Sequence, residues 1–432
     1  MRTGLPATGS RRPPGLRHPL RLATCLGLGM PLTALASTGL AGEPGARADW
    51  AARGVEFDAG YTVEAARVMS GGERRASAHA GQLAVGGRFD LARAWGWHGL
   101  RAQVSLTLRD GDDVAERAGL ETLLQSQEVY GRGAIVRLGS LWLGRRSADG
   151  RVDVKLGRLA VGDDFNRLDC TAMHLAFCGS QPAVFAGDYW FNSPLSQWGG
   201  VLDYRLAAAG YLRAGVYQVN PRYADARGGG LRFAPSGTTG TLTPLELGWE
   251  PSIGGRAGRY AIGGWYSSAP RADAARPATV RPGDVAAVMH SGAHGGWASV
   301  QQQLTLGRGD HPRSGLHGQL AFARGDRRTG TLQQMFNLQL VYTGPTAARP
   351  EDRVGLGLGS TRLNPRHVRA QPVPPGGPQS PARAEQVAEV FYGWRPAIGL
   401  EVQPGVQYVR HPGGLSARGD AVVLGLKADL RF

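Results

Sequence analysis

The sequence predicts an all-β protein whose strands close into a transmembrane antiparallel β-barrel of about sixteen strands. Three observations carry that expectation. The last twelve residues, Ala421 to Phe432, alternate strictly: Val422, Leu424, Leu426, Ala428, Leu430 and Phe432 share one face, and Gly425, Lys427, Asp429 and Arg431 the other. A dry core holds three successive charged positions only at large cost, whereas a water-filled lumen accommodates them. The same alternation recurs in segments of roughly ten residues, the length a tilted strand needs to cross a bilayer. The connections between segments are mostly long and short in turn, as outer loops and inner turns are when both termini lie on the inner side.

Composition narrows the class. The chain of 432 residues is 42% hydrophobic with a mean hydropathy of −0.24, and its mature part has no apolar run of 18 residues, which excludes a helical membrane bundle. Residues 1–36 read as a secretory signal peptide: five arginines, an apolar stretch from Leu20 to Leu35, and the small-x-small site Ala34-Leu35-Ala36. Residues 37–54 follow as a short periplasmic lead, and 55–432 form the barrel domain. Removing the five leader arginines leaves 49 − 5 = 44 basic against 34 acidic residues, spread without a basic run, so nucleic acid is not an expected partner. Cys25 leaves with the leader, and Cys170 and Cys178 remain as an even pair in an oxidising compartment.

In chain order, Val55, Phe57, Ala59, Tyr61 and Val63 alternate with Glu56, Asp58, Gly60, Thr62 and Glu64 in the first strand. Strands follow near 79–91 and 100–109, then near 134–143, where the pattern leaves the register open, and at 151–158, with Asp153 and Lys155 inward. Further strands are expected at 198–206, 210–219, 243–249, 258–267, 296–304, 315–323, 333–343, 352–360, 386–394, 398–409 and 421–432. Long connections fall at 66–78, 110–133, 159–197, 220–242, 268–295, 361–385 and 410–420. The Pro-rich tracts 269–282 and 372–381 lie in such loops, where a missing amide donor is harmless. Sixteen strands leave room for a water-filled channel.

The third long connection, Leu159 to Gln197, is densest in chemistry: Asp163-Asp164-Phe165, the two cysteines, and Asp188-Tyr189-Trp190-Phe191-Asn192 running towards Trp198. Ordered loops of this length are usually functional. Flat aromatic faces beside carboxylates and guanidiniums match the C–H faces and hydroxyls of a neutral sugar. Asp163 with Asp164 lacks the spacing of a calcium loop, so no metal and no cofactor are expected. Inward parity adds Arg213, Tyr217, Glu246, Asn337, Arg353, Glu389, Glu401 and Gln403 as lining candidates. The histidines form no catalytic constellation, which argues against an enzyme. The cysteines, with seven residues between them in one exported loop, are expected to be joined.

Several segments resemble the carbohydrate-selective porins of the OprB family: Val154-Lys155-Leu156-Gly157-Arg158-Leu159, Phe177-Cys178-Gly179, Ser193-Pro194 with Trp198-Gly199, Ala214 to Pro221, Pro244 to Gly248, Glu389 to Tyr392, and Gln403 to Val409 with His411 to Gly414. They cover the mature chain from about residue 136 onward. The resemblance implies a sixteen-stranded outer-membrane channel that passes glucose and related sugars passively, with the third loop folded inward as a constriction. Within that loop Trp190 and Asp188, with Arg158 at its base, are the expected sugar-selective eyelet; Asp164 and Phe165 are further lining candidates, and Trp198 stands either at the pore rim or in the interface belt. Expected partners are sugars, outer-membrane lipid and lipopolysaccharide, and the barrel assembly machinery that reads a terminal Phe such as Phe432; the assembly is a monomer or trimer. The residual positive charge makes a general or anion-preferring channel, for instance for phosphate, the nearest alternative.

Overall fold

Alternation becomes sixteen strands in the computed structural model, which describes residues 44–206, 209–275, 288–307, 314–370, 384–415 and 419–432. The leader and the Pro-rich tract 372–381 lie outside the described residues, as does part of the tract 269–282. The strands are β1 (Val55–Ser70), β2 (Ser77–Asp90), β3 (Leu100–Gly111), β4 (Val136–Arg146), β5 (Val152–Leu159), β6 (Gln197–Arg205), β7 (Gly210–Val219) and β8 (Gly240–Trp249). They continue as β9 (Arg256–Ser267), β10 (Ala293–Gln303), β11 (Gly315–Arg324), β12 (Leu332–Thr343), β13 (Arg353–Leu363), β14 (Ala384–Ala397), β15 (Leu400–Arg410) and β16 (Ala421–Arg431). Each pairs antiparallel with its sequence neighbours, and β1 pairs with β16 from Gly60↔Arg431 to Ser70↔Val422, closing the barrel. Closure removes the free edges that an open sheet would present.

The outward set of β16 includes Leu424 and Leu426, both exposed, whereas Lys427 turns inward between Glu64 and Glu128 at 3.4 and 3.1 Å. Three departures from the sequence expectation have local causes. The strand β1 runs to Ser70, so the first outer connection is only 71–76 rather than 66–78. Within β4 the register against β3 skips Gly139, a bulge that puts Ser140 and Trp142 on the inner face and explains why the alternation there was ambiguous. The lead forms a helix, α1 (Pro44–Ala52), whose Trp50 ring meets Phe57 edge-on at 5.2 Å.

The densest packing lies inside the lumen. The third loop (160–196) folds inward and buries Phe165, Phe177 and Trp190 against the wall residues Tyr217 and Trp297. Wall glycines make this approach possible: a Cβ on Gly357 would sit 2.9 Å from the Phe177 ring, and one on Gly425 would sit 2.4 Å from the Met173 methyl. The second loop (112–135), expected on the outside, also enters the barrel, with Leu120, Leu124 and Val129 buried. It joins the third loop through Glu128 N–H to the Met173 carbonyl and Leu175 N–H to the Gln125 carbonyl, both 3.0 Å.

Candidate functional site

An inward loop must satisfy its backbone amides without a sheet ladder, and here wall carboxylates and amides do so. Glu389 on β14 accepts from Met173 N–H at 2.8 Å and His174 N–H at 2.9 Å. Glu246 on β8 accepts from Asn166 N–H at 2.8 Å, Tyr211 Oη–H at 2.9 Å and Trp297 Nε1–H at 2.9 Å. Asn337 donates to the Ala176 carbonyl at 2.9 Å, and Gln319 accepts from Asp169 N–H at 2.9 Å. The second loop is held the same way, by Glu64 to Val129 N–H at 3.2 Å and Glu385 to Leu123 N–H at 2.8 Å. Cys170 and Cys178 are joined, tying the third loop's tip. His174 is fully buried in this loop, which lowers its pKa to about 3 and keeps the ring neutral, with Nδ1 accepting from Ala176 N–H.

These contacts revise the expected eyelet. Glu246, Glu389 and Asn337 are buried anchors of the loop rather than groups offered to a solute. Trp190 is 0% exposed, edge-on to Trp297 at 5.4 Å and to Phe165 at 6.4 Å, so it packs the loop to the wall and presents no free face. Phe165 and Tyr217 belong to the same packing. Arg158 is 2% exposed: its guanidinium donates to the Ser196 carbonyl at 2.6 Å and to the Arg232 carbonyl, and lies 4.1 Å from the Tyr223 ring centre. It clamps the end of the third loop to the fourth (220–239). Trp198 packs with Phe191, Leu195 and Tyr223 and donates to the Phe233 carbonyl at 2.9 Å. The Asp188 side chain is outside the described positions.

Two of the other expected residues, each 6% exposed, border a cavity. Asp164 and Arg213 line a cavity of about 290 Å³ with Arg101, Arg146, Asp153, Lys155, Arg167, Asp203 and Arg205. Opposite charges alternate along it: Arg101 and Arg146 on Asp153, Lys155 on Asp164, Arg213 and Arg205 on Asp203. Six basic side chains face three acidic ones, a local excess of positive charge. Arg353 pairs with Glu401, and Gln403 accepts from the same guanidinium at 3.4 Å on another stretch of wall. Sequence reasoning missed Trp142, whose ring has Lys155 at 5.4 Å and Arg101 at 5.7 Å, and which borders a second lumenal cavity of about 670 Å³ with Arg88 and Gln103. Its signal was hidden by the Gly139 bulge that shifts the parity of β4.

A closed sixteen-stranded barrel with a loop anchored inside a charged lumen is the architecture of an outer-membrane diffusion channel. The family model for carbohydrate-selective porins of the OprB family matches residues 74–432, and the chain belongs to that family. Porin B of Pseudomonas aeruginosa is 34% identical over 411 residues, covering 90% of each chain. The putative porin QuiX of Acinetobacter baylyi is 32% identical over 406 residues, covering 88% of this chain and 90% of that one. The high-pH structure of Pseudomonas putida OprB superposes with a TM-score of 0.84 at 31% identity, covering 90% of this chain and 96% of that one. The protein is accordingly a sugar-selective porin, a channel of the bacterial outer membrane.

Proposed function

We propose that glucose and related sugars cross beside the third loop along the wall of β3 to β7, using Trp142 as the stacking face and the Arg101–Asp153 and Lys155–Asp164 pairs as hydroxyl partners. One observation carries the reading: Trp142 is a half-buried wall aromatic flanked by cations and bordering a cavity at the inner mouth of the lumen, whereas Tyr211, also flanked by cations, and Trp190 are buried. Each contact is weak, as passage requires, since a tightly held sugar would not leave. The excess of basic groups in the same channel supports a secondary preference for anions.

The test is glucose block of ion current in planar bilayers. Trp142→Ala should weaken block several-fold, the loss of about 1 kcal/mol of aromatic contact, with conductance equal or larger. Arg101→Gln with Arg146→Gln should move the reversal potential towards cations. Wild-type glucose block in Trp142→Ala would remove this wall from the sugar path.

A further inference from the structure

Four arginines sit at the outer ends of strands that run upward through the membrane: Arg67 on β1, Arg324 closing β11, Arg362 beside the last residue of β13, and Arg410 closing β15. All are exposed, and all share the outward parity of their strands, with Ala65, Phe322, Ser360 and Tyr408 two positions below. Successive members are two strands apart around the barrel, since the β14, β16 and β12 neighbours intervene. At roughly 4.8 Å per strand and 3.3 Å per residue, the backbone spacing runs from about 10 Å between Arg324 and Arg362, which lie level across Gln334, to about 16 Å between Arg410 and Arg67, offset by four residues in register. The intervening β12 and β14 positions are Gln334 and Gln386, neutral amide donors.

None of the four makes an ion pair among the described residues. Asp420, the acid beside Arg410, is already engaged by the Tyr408 hydroxyl and by His411 N–H at 3.2 Å. The row stops on both sides: β3 ends outward in Asp110 and β9 in Tyr266. Inside the lumen Arg101, Lys155, Arg213 and Arg353 sit on carboxylates, whereas the four outward guanidiniums have no carboxylate partner among the described residues and stand open to an anion. Guanidiniums bind phosphate through paired N–H donors. Apolar residues lie directly below two of the four, in Phe322 and Tyr408, where acyl chains begin.

We infer that this arc, from β11 round to β1, is a docking surface for a phosphate-bearing glycolipid of the outer leaflet, lipopolysaccharide in chemistry. The headgroup phosphates take the arginines and the chains lie along the apolar strands beneath.

The experiment uses full-length mature protein extracted in detergent, with purified lipopolysaccharide and its dephosphorylated form as probes, read by native mass spectrometry. Combining Arg67→Gln, Arg324→Gln, Arg362→Gln and Arg410→Gln should lower retained lipopolysaccharide several-fold, while the four Lys replacements keep most of it. Heat-modifiability on gels and glucose block should stay at wild-type values in both sets. The dephosphorylated lipid should bind wild-type protein weakly. Equal retention by the Gln variant, or equal binding of the dephosphorylated lipid, overturns the inference. Saturable binding of inorganic phosphate to the arc with no lipid retained also overturns it, by marking a site for a free ion.

Discussion

Glu389→Gln is the sharpest probe of how the constriction is held. The carboxylate receives two loop amides, Met173 N–H at 2.8 Å and His174 N–H at 2.9 Å. The amide side chain keeps one acceptor oxygen and turns an NH2 group towards the second donor, so one hydrogen bond becomes neutral and one is lost. A charge-assisted bond contributes about 1.5–3 kcal/mol and a neutral one about 0.5–1.5, so the loss is about 2.5–4.5 kcal/mol of loop docking. At 1.4 kcal/mol per factor of ten, the undocked fraction rises about 60- to 1,600-fold. Single-channel recording reads this as frequent brief steps to higher conductance, while gel heat-modifiability is unchanged because the strand ladder is untouched. Wild-type current noise in Glu389→Gln would refute the anchoring role.

Three further outcomes are expected. Burial holds the His174 pKa at about 3 against 6.5 for a free ring, so between those values the undocked loop binds the additional proton, and docking is lost as pH falls from about 6.5. Each pH unit costs at most about 1.4 kcal/mol; noise should grow from pH 7 to pH 4, and a flat profile would show that the ring stays solvated. Arg158→Ala orphans two carbonyls at about 1–3 kcal/mol each, lowering the midpoint of denaturant unfolding while leaving glucose block intact; lost block with unchanged stability would return Arg158 to the sugar path. Freshly isolated protein should gain two hydrogens in mass on reduction, and Cys170→Ser with Cys178→Ser should loosen the loop by about 2–3 kcal/mol on chain-entropy grounds, again read as noise; two free thiols before reduction would contradict the bond.

Strand existence was legible because a bilayer outside and water inside impose alternation residue by residue, as in Val422 to Arg431. Inward parity also placed Glu246, Asn337 and Glu389 on the correct face. Their role was not legible, because the amides they serve lie far off in sequence, and nothing local distinguishes a carboxylate facing water from one facing a loop backbone. Trp190 was misread for a related reason: an aromatic in a polar loop looks available until the wall residues Trp297 and Tyr217 are known to meet that loop. The entry of the second loop was invisible too, since Leu120, Leu124 and Val129 follow no strand period.

The anchoring of the third loop has a consequence for the order of assembly. Its partners come late in the chain: Glu246 lies 80 residues beyond Asn166, and Glu389 lies 216 residues beyond Met173. A nascent barrel that has laid down β1 to β8 therefore holds a loop with most of its seats still unmade. The second loop waits longer, for Lys427 on the final strand to meet Glu128 while the same ammonium reaches Glu64 on the first. The seam that seals the cylinder is thus also a latch on its filter, so an unsealed intermediate would be a wide, unselective hole and the finished one narrows as it shuts.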